Sequence, residues 1–294
     1  MSATTCIRTP ARPVPAASIS QTRKARILRA RIFKARIFKA RIFKARIFKA
    51  EWTKLRTLPS TWRTAALNLA LGIGFSVAVS FSQISQWHTM TAQQRQVFDP
   101  TSASMSGVMI AAVVLGTLAV RTVTAEYSTG MIRSTFAAMP ARRLVLAAKA
   151  ATVAAFAFPV TLLGNLGGFE LGQRIFAGRH AAVTIGHPGV LRAMVFGAVA
   201  VSLVAVIGVG VGGLIRHTAG AATTLALIII GGLTVGQFLP AGWRQYLPGI
   251  ATQAAVTVHR SAGLLHPGTA IMVLAVYAAI TVGAASLRVA HRDA

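Results

Sequence analysis

The sequence predicts an all-α integral membrane protein with six transmembrane helices and both termini on the cytoplasmic side. Three observations lead there. Beyond about residue 64 the chain carries several apolar runs of roughly 20 residues, the length that crosses a hydrocarbon layer about 30 Å thick at about 1.5 Å per helical residue. Only 12% of the 294 residues are charged and the mean hydropathy is +0.61, whereas soluble chains carry about 25% charged residues. Finally, 31 Lys+Arg stand against 5 Asp+Glu, a formal net charge of +26, and the basic residues are placed asymmetrically about the apolar runs.

In chain order, residues 1–50 form a basic low-complexity N-terminal extension holding 14 of the 31 Lys+Arg and no acid. The first 22 residues, rich in Pro, Ser, Thr and Ala, have no periodic apolar face, which predicts disorder. A tandem pentad follows: KARIL, RARIF, then KARIF three times up to Phe48. Successive pentads rotate by about 140° on a helix of 3.6 residues per turn, so Ile37, Phe38, Ile42 and Phe43 share no single face. The bland reading is an expanded tract that stays solvated. The competing one is attraction to an anionic membrane surface, about 1 kcal/mol for each Lys or Arg. The Arg-rich, acid-free start also looks like an organelle transit peptide. No nucleic-acid reading motif is present, and no nucleic-acid partner is expected.

Residues 51–294 constitute the transmembrane domain. EWTKLRTLPSTW, residues 51–62, breaks the repeat and supplies an interfacial lead-in with Trp52, Lys54 and Trp62, residue types suited to the water–lipid boundary. Candidate spans follow at about 64–84, 105–123, 146–168, 192–214, 219–239 and 268–287. Pro100, Pro188, Pro240 and Pro267 fall between spans, while Pro159 lies within the third and is expected to kink it. Placing the N-terminus inside puts 25 of the 31 Lys+Arg on the inner side and 6 outside. Without the repeat tract the ratio is still 11 to 6, as the positive-inside rule requires.

Enzyme chemistry finds no footing. No Lys follows a Gly, so no phosphate-binding Walker A loop exists. The five acids, Glu51, Asp99, Glu126, Glu170 and Asp293, form no cluster along the sequence, the seven histidines show no metal-ligand spacing, and Cys6 is the only cysteine. No catalytic residue, metal site or cofactor is expected in this chain. Arg121 and Lys149 sit near inner span ends, where their stems can snorkel to water. Asn68, Gln83, Asn165 and Gln237 suit interhelical hydrogen bonds, with substrate contact as the alternative. Three small-residue pairs, Gly164 with Gly168, Gly208 with Gly212, and Gly232 with Gly236, suit close helix packing.

The longest inner connection, about Val123 to Ala148, reads VTAEYSTGMIRSTFAAMPARRLVLAA and should hold a short helix. In it Glu126 is an acid among positive charge, Gly130 permits a sharp bend or close approach, and Arg142 and Arg143 hold its end at the inner surface. A solvated loop and a docking surface for a cytoplasmic partner both fit.

Three stretches resemble the permease subunit of ABC-2 type ATP-binding-cassette transporters, in particular its actinobacterial branch. EWTKLRTLPSTW is similar to the family's opening phrase before the first span. AEYSTGMIRSTFAAMPARR, residues 125–143, resembles its cytoplasmic coupling segment, of the form Glu-Tyr-x-x-Gly-Met-Ile-Arg-x-Thr. QYLPGIATQAA, residues 245–255, is similar to a Tyr-Leu-Pro segment in the last outer loop, departing from the usual pattern at Gly249, Ile250 and Thr252. The resemblance covers residues 51–294 and leaves the repeat tract outside.

That resemblance implies a multi-pass plasma-membrane permease subunit working with a cytoplasmic ATP-binding subunit that holds ATP and Mg, and with a second permease copy, identical or paralogous. Glu126, Tyr127, Gly130, Met131 and Arg133 would form the ATPase-coupling segment. A lipophilic small molecule, moved outward, is the expected cargo. The alternative is a non-transport membrane anchor or assembly protein whose basic tail recruits a partner or binds anionic lipid.

Overall fold

The structure, a computed structural model, describes residues 45–131, 142–178, 181–258 and 263–292. By its contacts the chain divides into Met1–Arg46 and Ile47–Ala294, and the second unit carries the fold. It is all-helical, with no strand among the described residues. A lead-in helix, α1 (described over residues 45–57), is followed by α2 (Pro59–Ser85), two short helices α3 (Ala92–Val97) and α4 (Pro100–Ser104), then α5 (Val108–Ser128), α6 (Arg142–Ala177) and α7 (Val190–Ile215). The fifth long helix, α8, is a continuous helical run over Thr218–Phe238. After it come the short α9 (Ala241–Arg244) and α10 (Pro248–Ala254), and last α11 (Pro267–Arg292).

Helices α2, α5, α6, α7, α8 and α11 are each long and apolar enough to cross a membrane, and the chain is a multi-pass membrane protein. Residue chemistry accounts for where they begin and turn. Pro59, Pro100 and Pro248 open their helices at the first position, where the missing N–H has no intrahelical partner to lose. Arg216 adopts a left-handed conformation, φ 62°, to end α7, and His217 then caps α8, its side chain accepting from the Gly220 N–H. α6 is longer than the sequence predicted, 36 residues, and remains helical through Pro159.

α7 is the most enclosed of the six and packs against α5, α6 and α11, whereas α2, α8 and α11 turn most of their surface outward. Glycine makes the central contacts close. A Cβ at position 208 would lie 2.6 Å from the Gly116 carbonyl oxygen of α5, and one at 212 would lie 3.1 Å from that of Val120. At position 168 it would meet Ser76 Oγ of α2 at 2.8 Å, and at 236 Ile250 of α10 at 2.8 Å. Gly164 and Gly232 are in ordinary contact, with neighbours at 3.6 and 3.7 Å. Approaches of the close kind also occur at Gly172 against Ser104, Gly197 against Val256 and Gly210 against Thr281, positions outside the three predicted glycine pairs.

Two details concern the QYLPGIATQAA stretch. α8 widens into a π turn at Leu227–Gly231, and Gly249 of α10 lies directly against the Ile229 carbonyl of that turn, leaving no room for a Cβ. The stretch is therefore a buried half-helix rather than an open loop, with Pro248 to Thr252 all buried. Gly249, one of the positions where the stretch departs from the pattern it resembles, is the residue at this backbone contact.

Candidate functional site

Successive spans alternate in direction, so the start of α2, the end of α5, the start of α6, the end of α7, the start of α8 and the end of α11 share one end of the bundle. Contacts confirm this juxtaposition: Arg142 Nη1 donates to the Val289 carbonyl, Arg288 to that of Leu214, and Thr218 Oγ1 to Thr124 Oγ1. Arginines placed on terminal carbonyls complement the negative end of the helix dipole.

The lead-in helix α1 attaches here. Ile47, Glu51 and Leu55 recur every four residues and are all buried, so one face of α1 packs on the bundle. Trp52 packs against the core and stacks on Phe48, centroids 6.3 Å apart. Trp62, in α2, is 54% exposed; its indole N–H donates to the Arg56 carbonyl and its ring meets Phe156 edge-on. Ile47 and Phe48 belong to the last KARIF pentad, so that pentad contributes to the packed unit, a role the repeat arithmetic did not reveal.

At the junction of α1, α5 and α6 lies a cluster of four charges. Lys149 Nζ donates to Glu51 Oε2 and to Glu126 Oε1, each at 2.7 Å. Lys54 Nζ donates to Glu51 Oε1 and Glu126 Oε1, each at 3.0 Å. Glu51, Glu126 and Lys149 are buried, with Lys149 only 4% exposed, while Lys54 borders water. Glu126 Oε2 is buried and has no hydrogen-bond partner among the described residues, an arrangement that costs about 1–3 kcal/mol. Lys149 therefore does not snorkel, because two carboxylates within hydrogen-bonding distance satisfy it inside. The two acids, far apart in sequence, do cluster in space. Burial works against the charged form of Lys54, yet its bonds to Glu51 and Glu126 outweigh this and hold its pKa above the ordinary 10.5.

The residues expected in the coupling segment continue from this cluster. Glu126 and Tyr127 lie in the last turn of α5 rather than in a loop, because α5 runs five residues beyond the sequence-predicted end, to Ser128. The Arg216 guanidinium stacks over the Tyr127 ring, 4.9 Å from its centroid. Gly130 has φ +70° with nothing within 4 Å of a would-be Cβ, so backbone conformation, and not crowding, calls for glycine in the sharp exit from α5. Met131 is 51% exposed. Arg133 and the expected short helix fall on 132–141, outside the described residues.

A second feature is a cavity of about 860 Å³ bounded by α2, α4, α5, α8 and α10. Phe75, Met109, Val113 and Leu233 are among its apolar walls, while Gln83, Ser102 and Gln253 supply polar groups toward the opposite end of the bundle. Of the other polar span residues, Asn165 donates to the Met194 carbonyl of α7 at 3.0 Å, Asn68 is buried and Gln237 exposed. At that opposite end Asp99 organises the connections: Oδ1 accepts from the Thr101 and Ser102 N–H groups at the start of α4, and Oδ2 accepts from the Val258 N–H at 2.8 Å. Gln173, from α6, donates to the Pro100 carbonyl and Ser104 Oγ and accepts from the Val183 N–H. Among the described residues no three His, Cys, Asp or Glu side chains converge to hold a metal ion.

No known family model matches this chain, and no curated protein is similar enough to it to be matched. What distinguishes the molecule is thus the chemistry of its two ends and of the cavity between them.

Proposed function

We propose that this chain is the membrane-spanning permease subunit of an ABC-2 type transporter, which exports a lipophilic small molecule and is driven by a separate cytoplasmic ATPase. The observation that carries the reading is the buried Lys149 cluster. It joins the last turn of α5, from which the 129–141 connection leaves, to the lead-in helix and to the longest span. A partner engaging Tyr127, Gly130, Met131 and Arg133 from the cytoplasm would pull on α1, α5 and α6 together, because hydrogen bonds from Lys54 and Lys149 fix Glu126 to both neighbouring helices. A bound partner shifts a conformational equilibrium only through contacts that differ between the two states, and this junction provides a rigid handle for such contacts.

The cavity supports the cargo class. Its volume falls within the ~300–1,000 Å³ of small-molecule sites, and mostly apolar walls with a few polar groups suit an apolar solute carrying one or two hydrogen-bonding functions. Outward-facing α2 and α8 border it, and a second permease copy meeting those two helices would close it. ATP hydrolysis belongs to the partner, with both termini of this chain on the ATPase side of the plasma membrane.

The test has two arms. Gly130→Trp with Met131→Glu leaves the charge cluster intact and is expected to abolish co-purification with a Walker A ATPase co-expressed from a neighbouring reading frame. Met109→Trp, which fills the cavity, is expected to preserve co-purification and stop ATP-driven efflux of a lipophilic dye from vesicles. Undiminished assembly in the first variant together with undiminished efflux in the second would refute the proposal.

A further inference from the structure

At the charged end a cleft of about 460 Å³ runs between α1, the start of α2, α5 and α6. Its walls include Leu55, Leu58, Leu118 and Val153, and the four-charge cluster forms its floor. The charges of that floor cancel: two carboxylates accept from two lysines. Arg121 on the α5 wall does not cancel. It is exposed and makes no hydrogen bond or ion pair among the described residues.

The chain itself has almost nothing left to neutralise Arg121. Of its five acids, Glu51 and Glu126 are engaged with the lysines, Asp99 caps α4 at the opposite end, and Glu170 pairs with Arg174 near that same end. Asp293 lies outside the described residues, and neither residues 1–50 nor 132–141 contain an acid. Arg121 also lies within α5, back from its end. It precedes Ser128, the last residue of α5, by seven positions, about 10 Å at the helical rise, in a span whose other residues up to Ala125 are uncharged. A cation among apolar side chains at that position calls for an anion, and its long stem can carry the guanidinium toward headgroup level. The start of α2 borders the same cleft with no acid in its first turn and no side-chain cap, which adds to the positive potential there.

We infer that this cleft binds an anionic phospholipid of the adjoining leaflet, the phosphate held by Arg121 and an acyl chain lying along Leu58, Leu118 and Val153. The site requires only that the chain spans a membrane and stands apart from any transport role. A lipid matches both halves of the cleft at once, whereas a soluble anion would leave the apolar wall bare.

The measurement is native mass spectrometry of the full-length protein in detergent, titrated separately with dioleoyl-phosphatidylglycerol and dioleoyl-phosphatidylcholine. All variants keep the basic N-terminal extension, so its diffuse attraction for lipid is common to every comparison. The first phosphatidylglycerol is expected to bind at least tenfold more tightly than phosphatidylcholine. Arg121→Gln removes that preference with an unchanged melting temperature, since Arg121 has no partner among the described residues to lose. Arg121→Lys keeps most of it, and Ala125→Trp, which fills the cleft without altering charge, weakens both lipids. Equal phosphatidylglycerol binding in wild type and Arg121→Gln, or equal binding of the two lipids by the wild type, overturns the inference. Displacement of the lipid by millimolar inorganic phosphate would reassign the site to a free anion and overturn it as well.

Discussion

The two ends of the helical bundle solve the problem of buried polarity by different means. At the end carrying α1, charge is matched to charge: Lys149 and Lys54 share Glu51 and Glu126 across three helices. At the opposite end, most of the side-chain bonds among the described residues go to backbone. Asp99 and Gln173 bond to N–H and C=O groups of α4 and of residues 183 and 258, and Arg192 Nη2 donates to the Thr257 carbonyl at 3.0 Å. Backbone partners cannot leave without local unfolding, so this end is stapled. Side-chain partners can exchange, and three oxygens serving two lysines while a fourth has no partner among the described residues make the first end the one able to rearrange as a unit.

The largest effect that separates the ends is expected at Lys149. Its replacement by Met leaves two carboxylates buried with only the half-exposed Lys54 between them, and removing one partner of a buried ion pair costs about 3–5 kcal/mol. Thermal unfolding in detergent, followed by tryptophan fluorescence, should show Lys149→Met to be less stable than any single substitution at Lys54 or Asp99. The triple variant Glu51→Gln, Glu126→Gln, Lys149→Met should recover most of that loss, because no unpaired charge remains. A triple variant as unstable as the single would mean that packing around Lys149, and not its charge, holds the junction.

A smaller loss is expected at the stapled end. Asp99→Asn keeps an oxygen for the N-terminus of α4 but replaces the acceptor facing the Val258 N–H with an amide, and a buried N–H deprived of its partner costs about 1–3 kcal/mol. The change should be local. Hydrogen exchange is expected to speed up around residues 99–104 and 256–258 while protection at residues 51 and 126 stays as it was. Spreading of the effect to the charged end would erase the distinction between the two.

These differences also mark what the sequence can disclose. Spans were legible because about 20 apolar residues in a row have few other destinations, and charge sparsity made the same point independently. Their ends were less so: α5 runs beyond its apolar stretch through Glu126, which Lys54 and Lys149 satisfy in the fold and which hydropathy counts as a reason to stop, and α6 continues past its apolar stretch at both ends. Packing glycines were visible only where two fell four residues apart on one helix, as at Gly208 and Gly212. At Gly210 or Gly197 the second half of the contact comes from a distant helix, and no local pattern announces it. The cluster was half legible. Glu126 stood out as an acid in a basic stretch, and Glu51 and Lys54 marked the break in the repeat, but their meeting with Lys149 is a property of the topology. Spacing along the chain carried no trace of the 860 Å³ cavity, which forms only where α2, α5, α8 and α10 fail to close on one another.

The smallest expected effect concerns pH and applies to the exchangeable end alone. Burial opposes the charge on Lys54, but Glu51 and Glu126 together hold its pKa above 10.5 in the folded protein. A group whose folded pKa is raised stabilises fully below its unfolded value and loses that contribution as pH rises through the folded value. The stabilisation by Lys54 should therefore be constant from neutral pH to about 10 and fade above 10.5. Comparison of melting temperatures for the wild type and Lys54→Gln isolates it from the other basic groups, which titrate in both. Their separation should be flat across the neutral range and shrink in the alkaline one, modestly, since Lys54 is partly screened by water. No lysine of the described residues bonds to Asp99, so its variant should show no such alkaline convergence with the wild type. A separation for Lys54→Gln that stays constant well into the alkaline range would mean that the lysine supports the junction through its aliphatic stem, and the charge exchange argued for this end would then rest on Lys149 alone.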